Sequence, residues 1–365
     1  MNEILGILDN LISVQSDTHD KIKNISDYIC DDILNKHNVI YKRIKHAENQ
    51  AESIIAAINT NDLRDINSGI LLSGHMDTVS GDTEQFLPTH TDGKIYGRGA
   101  VDMKYFIAVV LALIPEFKKQ NFPIVLTLTG DEETDVTGIK HICEFMQVNN
   151  IHPQMAIVGE PTNMDTVVAH NGYCGYSTTV SGRSAHASQI KNGVNAIYFA
   201  TELISHLQIL AKQYLETGTT INVGRIYGGT QRNTVADTTT FDWEIRYTSD
   251  KEHRNIIQSV TEFQNKLMQQ TPGLDIKNNI AEEIYALSKN NNSQITNIIN
   301  TPNITSPIAT EAGFFQKYGI DTVVYGAGSI QHAHTTNEHI EIKDIFNYTK
   351  TLIDIINSIN KNHLQ

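Results

Sequence analysis

Apolar residues recur at helical spacing over 3–14 and again over 18–36, so two helices are expected to open the chain, with Thr18 as a candidate cap for the second. Short runs at 39–44, 53–58 and 70–74 read as strands. An apolar stretch of helix length begins at Met103, with Asp102 in the position of an N-cap and Pro115 placed to kink or end the helix. The β-branched run 124–129, a helical pattern over 138–148 and the apolar run 155–159 continue the alternation of strand and helix. Such alternation predicts a mainly parallel sheet with helices on both faces.

From about Gly172 to about Lys277 the pattern changes. The order becomes strand, helix (194–215), strand, strand, helix (251–270), strand. The stretch 237–247 alternates apolar and polar positions, as an antiparallel strand with one covered face does. This is the order of a ferredoxin-like α+β domain. The first pattern then resumes with a helix over 310–318, a strand over 321–325 and a last helix over 342–360. An α/β domain of 1–171 and 278–365, interrupted by an α+β domain of 172–277, is therefore expected.

The candidate chemistry sits at strand ends. In Gly74-His75-Met76-Asp77-Thr78 the histidine and the aspartate lie two residues apart on extended backbone and point to the same face. That spacing suits a metal-ligating imidazole whose other ring nitrogen donates to a carboxylate, although such a pair also closes ordinary turns. Asp131-Glu132-Glu133 follow the run 124–129, and Glu160 follows 155–159. Acids are welcome in a helix's first turn. Three like charges at one strand end nevertheless repel unless cations or solvent screen them. Open parallel sheets carry their sites beyond the carboxyl ends of the strands. Three successive strands ending in potential ligands exceed what turn chemistry requires. Farther along, small residues surround His186, which leaves it reachable, and His332, His334 and His339 cluster before the last helix.

Composition narrows the function. A chain of 365 residues suits two domains. Its net charge of −13 argues against nucleic acid and anionic membranes as partners, and no apolar run reaches membrane-spanning length. Three cysteines at no metal-like spacing and the lack of a leader pattern at Met1-Asn2-Glu3 favour a reduced, cytoplasmic protein.

Six motifs in order, His75-x-Asp77, Gly97-Arg98-Gly99-x-x-Asp102-Met103-Lys104, Asp131-Glu132-Glu133, Gly159-Glu160-Pro161-Thr162, Gly182-x-x-Ala185-His186 and Ala333-His334, resemble the acetylornithine deacetylase / succinyl-diaminopimelate desuccinylase / carboxypeptidase G2 family. The glycine-rich context of Ala333-His334 and Thr310-Glu311-Ala312 is most similar to the acetylornithine deacetylase branch. The resemblance implies a zinc-peptidase-like catalytic domain, an inserted lid that also forms a homodimer, and two zinc ions per chain, with cobalt or manganese as alternatives. It implies that His75 and Glu160 hold one ion, Glu133 and His334 the other, and Asp102 both, with His332 as the fallback for His334. Asp77 would orient His75, Glu132 would be the general acid/base, and His186, supplied by the partner subunit, would stabilise the oxyanion. Arg246, Asn233, Gly326 and Gly328 would bind a small N-acyl amino acid. Metal is needed because water (pKa about 15.7) lies some 11 units above a glutamate, too far for a carboxylate alone to deprotonate it. The rival substrates are succinyl-diaminopimelate and those of an aminoacylase or dipeptidase. A binding paralogue without activity would have lost ligands, and here all are present.

Departures from the family pattern are Tyr105 after Lys104, Phe86 in place of a common tryptophan, and no proline near Asn233. None falls on an expected ligand.

Overall fold

The computed structural model describes residues 2–362, so positions 1 and 363–365 of the expected catalytic domain lie outside the described residues. In chain order the first strands are β1 (Ile40–Lys45), β2 (Glu52–Ile58), β3 (Ile70–His75), β4 (Thr89–Thr91) and β5 (Lys94–Tyr96). Next come β6 (Ile124–Thr129), β7 (Met155–Val158), β8 (Thr166–His170), β9 (Gly172–Ser181) and β10 (Thr220–Gly228). The last are β11 (Thr238–Tyr247), β12 (Asp275–Ile284), β13 (Asn303–Ser306), β14 (Asp321–Val324) and β15 (His339–Glu341).

Contacts divide the chain into two units. The larger holds the residues up to Ala169, Leu287–Ser306 and the chain from Thr310 onward. Its eight-stranded sheet has the order β1-β2-β6-β3-β7-β14-β8-β13. The central four strands, β6-β3-β7-β14, are mutually parallel, with antiparallel pairs flanking them. Strands β2, β3, β6 and β7 are buried along their whole length, which is why they read as continuous apolar runs instead of alternating ones. Helix Tyr105–Ala112 is apolar on every side and buried, and it packs against β3 and helices Asn2–Ser13 and Ile342–Asn362.

Sequence and structure differ at two helix starts. The helix expected from Met103 starts at Tyr105, because Asp102 (φ −124°, ψ 94°) and Met103 (φ −130°, ψ 36°) are not helical. Asp102 is therefore not a cap; it lies in a tight turn. Pro115 behaves as expected, since the helix stops at Ala112 and Pro115 sits in the first turn of the next one, Ile114–Phe117. Thr18 precedes the helical stretch but its side chain makes no capping bond.

The smaller unit comprises His170–Ala286 and Pro307–Ala309. Its sheet, β10-β11-β9-β12, is antiparallel throughout and has the strand order of a ferredoxin-like fold. Residues Phe241, Trp243 and Ile245 of β11 pack with Leu203, Leu207, Ile256 and Val260 from helices Ala196–Tyr214 and Asp250–Gln270. Position 277, taken from the sequence as the end of this domain, falls inside β12. The strand carries on to Ile284 because its pairing with β9 continues past a bulge between Ile280 and Glu282.

Candidate metal centre

The parallel pairing of β6, β3 and β7 aligns their carboxyl ends, so the residues that follow them converge. His75 closes β3 and is buried. Its Nδ1–H donates to the Asp77 backbone carbonyl at 2.9 Å, which turns Nε2 toward the carboxylates. Nε2 lies 3.1 Å from Asp102 Oδ1 and 3.8 Å from Glu160 Oε1. The other Asp102 oxygen, Oδ2, is 3.3 Å from Nε2 of His334, and that nitrogen is 2.9 Å from Glu133 Oε1. Two three-donor groups result, His75–Asp102–Glu160 and Asp102–Glu133–His334, each with its donor atoms within 4.8 Å of one another. Asp102 belongs to both.

The electrostatics are those of a site short of positive charge. Burial would lower the His75 pKa, but hydrogen bonds to Asp102 and Asp77 outweigh it and hold the imidazole well above its usual range. Hydrogen bonds to Asp102 and Glu133 push His334 up to about 10. Burial, reinforced by neighbouring carboxylates, raises both Glu132 and Glu160 well above ordinary carboxyl values. Burial acts the same way on Asp102, yet its hydrogen bonds to His334 and His75 prevail and hold it low. Imidazole nitrogens and carboxylate oxygens in this proportion fit two divalent cations, which would replace the protons that now screen the acids.

Asp77 does more than the sequence suggested. Its side-chain oxygen sits 3.5 Å from His75 Nδ1, a longer approach than that of its own carbonyl. The two carboxylate oxygens accept instead from the backbone N–H groups of Glu132 (3.1 Å) and Glu133 (2.9 Å). One residue thus sets the ring of His75 through its backbone and the Glu132–Glu133 turn through its side chain. Asp131 faces away from the donors. It accepts from Gly138 N (2.8 Å), Thr137 N (3.1 Å) and Asn49 Nδ2 (3.0 Å), which pins the start of helix Gly138–Val148.

His334 rather than His332 reaches the donors. His332 is stacked on His339 with ring centroids 4.2 Å apart. The backbone of His334 has φ +59°, a left-handed conformation uncommon for a residue with a side chain. Gly326 and Gly328 line the turn after β14. A Cβ at Gly326 would fall 2.1 Å from the Tyr105 hydroxyl and 2.4 Å from the Glu160 carbonyl, so glycine is needed there for the Glu160 segment to pack. Gly328 has φ +73°.

The remaining expected residues belong to the smaller unit. His186 is exposed, and its Nδ1 accepts from Ser188 N at 3.2 Å, which places the proton of the neutral ring on Nε2. Arg246 projects from the open face of β11, 3.1 Å from Glu244 Oε1 and with its guanidinium 5.0 Å from the centroid of the Tyr173 ring. Asn233 is exposed, and its carbonyl accepts from Ala187 N at 2.9 Å.

Three buried residues near the donors received no role from the sequence. Lys104 donates to the carbonyls of Leu11 (2.9 Å) and Val14 (3.0 Å), and burial pushes its pKa down to about 7. Glu311 is pushed up to about 8 by burial. Glu338 accepts from Arg98. Lys104 and Glu311 fall within quoted motifs but the motifs gave them no role, and Glu338 falls in none; near-total burial singles all three out.

A parallel sheet carrying paired histidine and carboxylate donors beyond its strand ends, beside a further buried glutamate, is the arrangement of a metallohydrolase. The chain belongs to peptidase family M20/M25/M40, whose model matches residues 71–358. It is 33% identical over 295 residues to an acetylornithine deacetylase of Buchnera aphidicola, covering 75% of this chain and 76% of that one. A tripeptidase of Staphylococcus aureus shares the fold at a TM-score of 0.75 and 22% identity, covering 99% of this chain and 98% of that one. A dinuclear metal-binding peptidase of the M20 family from Bacillus subtilis matches at a TM-score of 0.66 and 12% identity, covering 99% and 98%. The protein is accordingly an enzyme of a metallopeptidase and amidohydrolase family, with a mixed α/β fold built on a mainly parallel central sheet. Among the described residues no helix is long and apolar enough to cross a membrane.

Proposed function

We propose that this enzyme is a dinuclear zinc amidohydrolase that converts N2-acetyl-L-ornithine to L-ornithine and acetate, in arginine biosynthesis and in the cytoplasm. The observation that carries the chemistry is the shared position of Asp102 between two three-donor groups, with Glu132 beside them. The substrate rests on the likeness to acetylornithine deacetylases across three quarters of the chain.

His75, Asp102 and Glu160 would hold one ion, and Asp102, Glu133 and His334 the other. Bound there, the metal supplies a Lewis acid for the amide carbonyl and lowers the pKa of the attacking water. Cobalt or manganese would suit the same donors. Glu132 takes the proton from that water and returns it to the departing amine nitrogen. Its pKa, raised by burial, supports a group able to hold the proton between the two transfers. His186 donates a hydrogen bond from Nε2–H to the oxyanion developing in a partner subunit's site, and the contact of its Nδ1 with Ser188 N supports this role. Arg246 receives the substrate carboxylate in its planar fork, with Asn233, Gly326 and Gly328 completing the substrate site. A homodimer formed through the inserted unit follows from the role given to His186.

A panel of N-acyl amino acids offered to the zinc-loaded enzyme tests this reading. N2-acetylornithine should give a higher kcat/KM than N-succinyl-diaminopimelate, acyl amino acids with uncharged side chains, or dipeptides. Preference for the succinylated substrate would leave the metal chemistry intact and refute the assigned substrate.

A further inference from the structure

The loop that carries Asp102 has an unusual support. Because Asp102 is extended and not helical, the N–H groups of Val101 and Asp102 fall outside any regular ladder, and both residues are buried. A buried N–H without an acceptor costs as much as a lost hydrogen bond. Both groups donate to one atom, Oε1 of Glu338, at 3.2 Å each. The other oxygen, Oε2, accepts from Arg98 Nη1 at 2.6 Å. Glu338 is 2% exposed. Its backbone carbonyl accepts from Gly97 N at 3.0 Å, and directly after it β15 pairs with β5, the strand that leads into the Gly97–Asp102 turn.

Glu338 lies four residues beyond His334. It therefore ties the segment bearing His334 to the turn bearing Asp102. Arg98 engages only the Oε2 oxygen of this buried carboxylate, so Oε1 is left to accept from both N–H groups. The Asp102 carboxylate it steadies has its two oxygens aimed apart, one at His75 and one at His334. A slight shift of this turn would disturb both donor groups together.

We infer that Glu338 is a positioning residue for the metal centre, holding Asp102 in the one orientation in which its two oxygens serve both cations. The inference rests on the metal reading proposed above. Loss of a group that orients a ligand typically weakens metal binding 10–100-fold. Here the weakening should fall on both ions, because Asp102 is shared. His334→Ala, by contrast, should weaken one ion more than the other.

The test is zinc binding to the metal-stripped, folded chain by competition with a chromophoric chelator, with thermal unfolding of the metal-free chain measured alongside. Wild type should bind two zinc ions. Glu338→Ala should bind both about 10–100-fold more weakly, and Glu338→Gln, which keeps one carbonyl oxygen for the two N–H groups, should recover part of that loss. Should the alanine chain not fold, the glutamine variant carries the comparison by itself through its weakened zinc binding. Unchanged zinc affinities in either folded variant, with only a lowered Tm, would reduce Glu338 to a structural ion-pair partner and overturn the inference. A wild-type chain that bound no zinc would instead bring down the metal reading, and this inference with it.

Discussion

At the scale of single residues the account turns on a division of labour among neighbouring acids. Glu133 reaches His334, Asp131 pins a helix, and Glu132 is left beside both donor groups without a metal contact of its own assigned. Glu132→Gln should keep both ions yet lose about 10²–10⁴ in kcat, as removal of a general base does. Near-normal turnover by that variant would end the assignment. Asp77→Asn exchanges one N–H acceptor for an amide, so one of the bonds from Glu132 N and Glu133 N weakens. It should lower kcat and weaken zinc binding by roughly 10–100-fold, read by kinetics and chelator competition. Much of this was legible in the sequence. The family resemblance named His75, Asp102, Glu133, Glu160 and His334, strand ends by themselves pointed only to His75, Glu132 or Glu133, and Glu160, and the structure gathers the five donors. The carboxylate role of Asp77 was not legible, because a residue two places from a histidine gives no hint that its oxygens reach a turn more than fifty residues away. Glu338 was hidden for a similar reason: Arg98 lies 240 residues away in the chain, and its other side-chain partners are backbone N–H groups, which no side-chain pattern records.

At the scale of elements, legibility followed burial. Strands buried on both faces and the alternating β11 were readable because apolar period reports which faces are covered. Helix beginnings were harder to read. Asp102 precedes an apolar helix as a cap would, but the need to present its carboxylate to both histidines coincides with an extended backbone, and the helix starts at Tyr105. Asp131 is the converse case, an acid in a ligand-rich run that serves a helix. Asp131→Ala would leave the N–H groups of Thr137 and Gly138 without their acceptor, and should cost about 1–3 kcal/mol by denaturant unfolding with zinc stoichiometry kept. At the end of β8, burial pushes His170 down to about 4. Its folded pKa lies below the unfolded value near 6.5, so the unfolded chain binds the extra proton first and the stability from this residue is lost as pH falls from about 6.5 to 4. The loss should approach roughly 3 kcal/mol, seen as a smaller pH dependence of unfolding in His170→Gln than in wild type. Equal slopes for the two chains would refute it.

At the scale of the whole molecule, the proposal assigns the reaction to groups on two units and, through His186, to two subunits. His186→Ala should lose about 10²–10³ in kcat while keeping its metal. Mixed with Glu132→Gln chains, it should regain about a quarter of wild-type activity per chain, since half of a random population of dimers is mixed and each mixed dimer has one intact metal site facing one intact histidine. No recovery after verified subunit exchange would confine His186 to its own chain or remove it from the reaction. The central claim, two ions sharing Asp102 beside Glu132, is reached most directly by titrating zinc into the metal-stripped enzyme while following hydrolysis of an N-acyl amino acid. The account predicts no turnover without metal, saturation at about two zinc ions per chain, and no binding at either site with high affinity in Asp102→Ala. Turnover by the metal-free chain, or two tight sites surviving in Asp102→Ala, would contradict it.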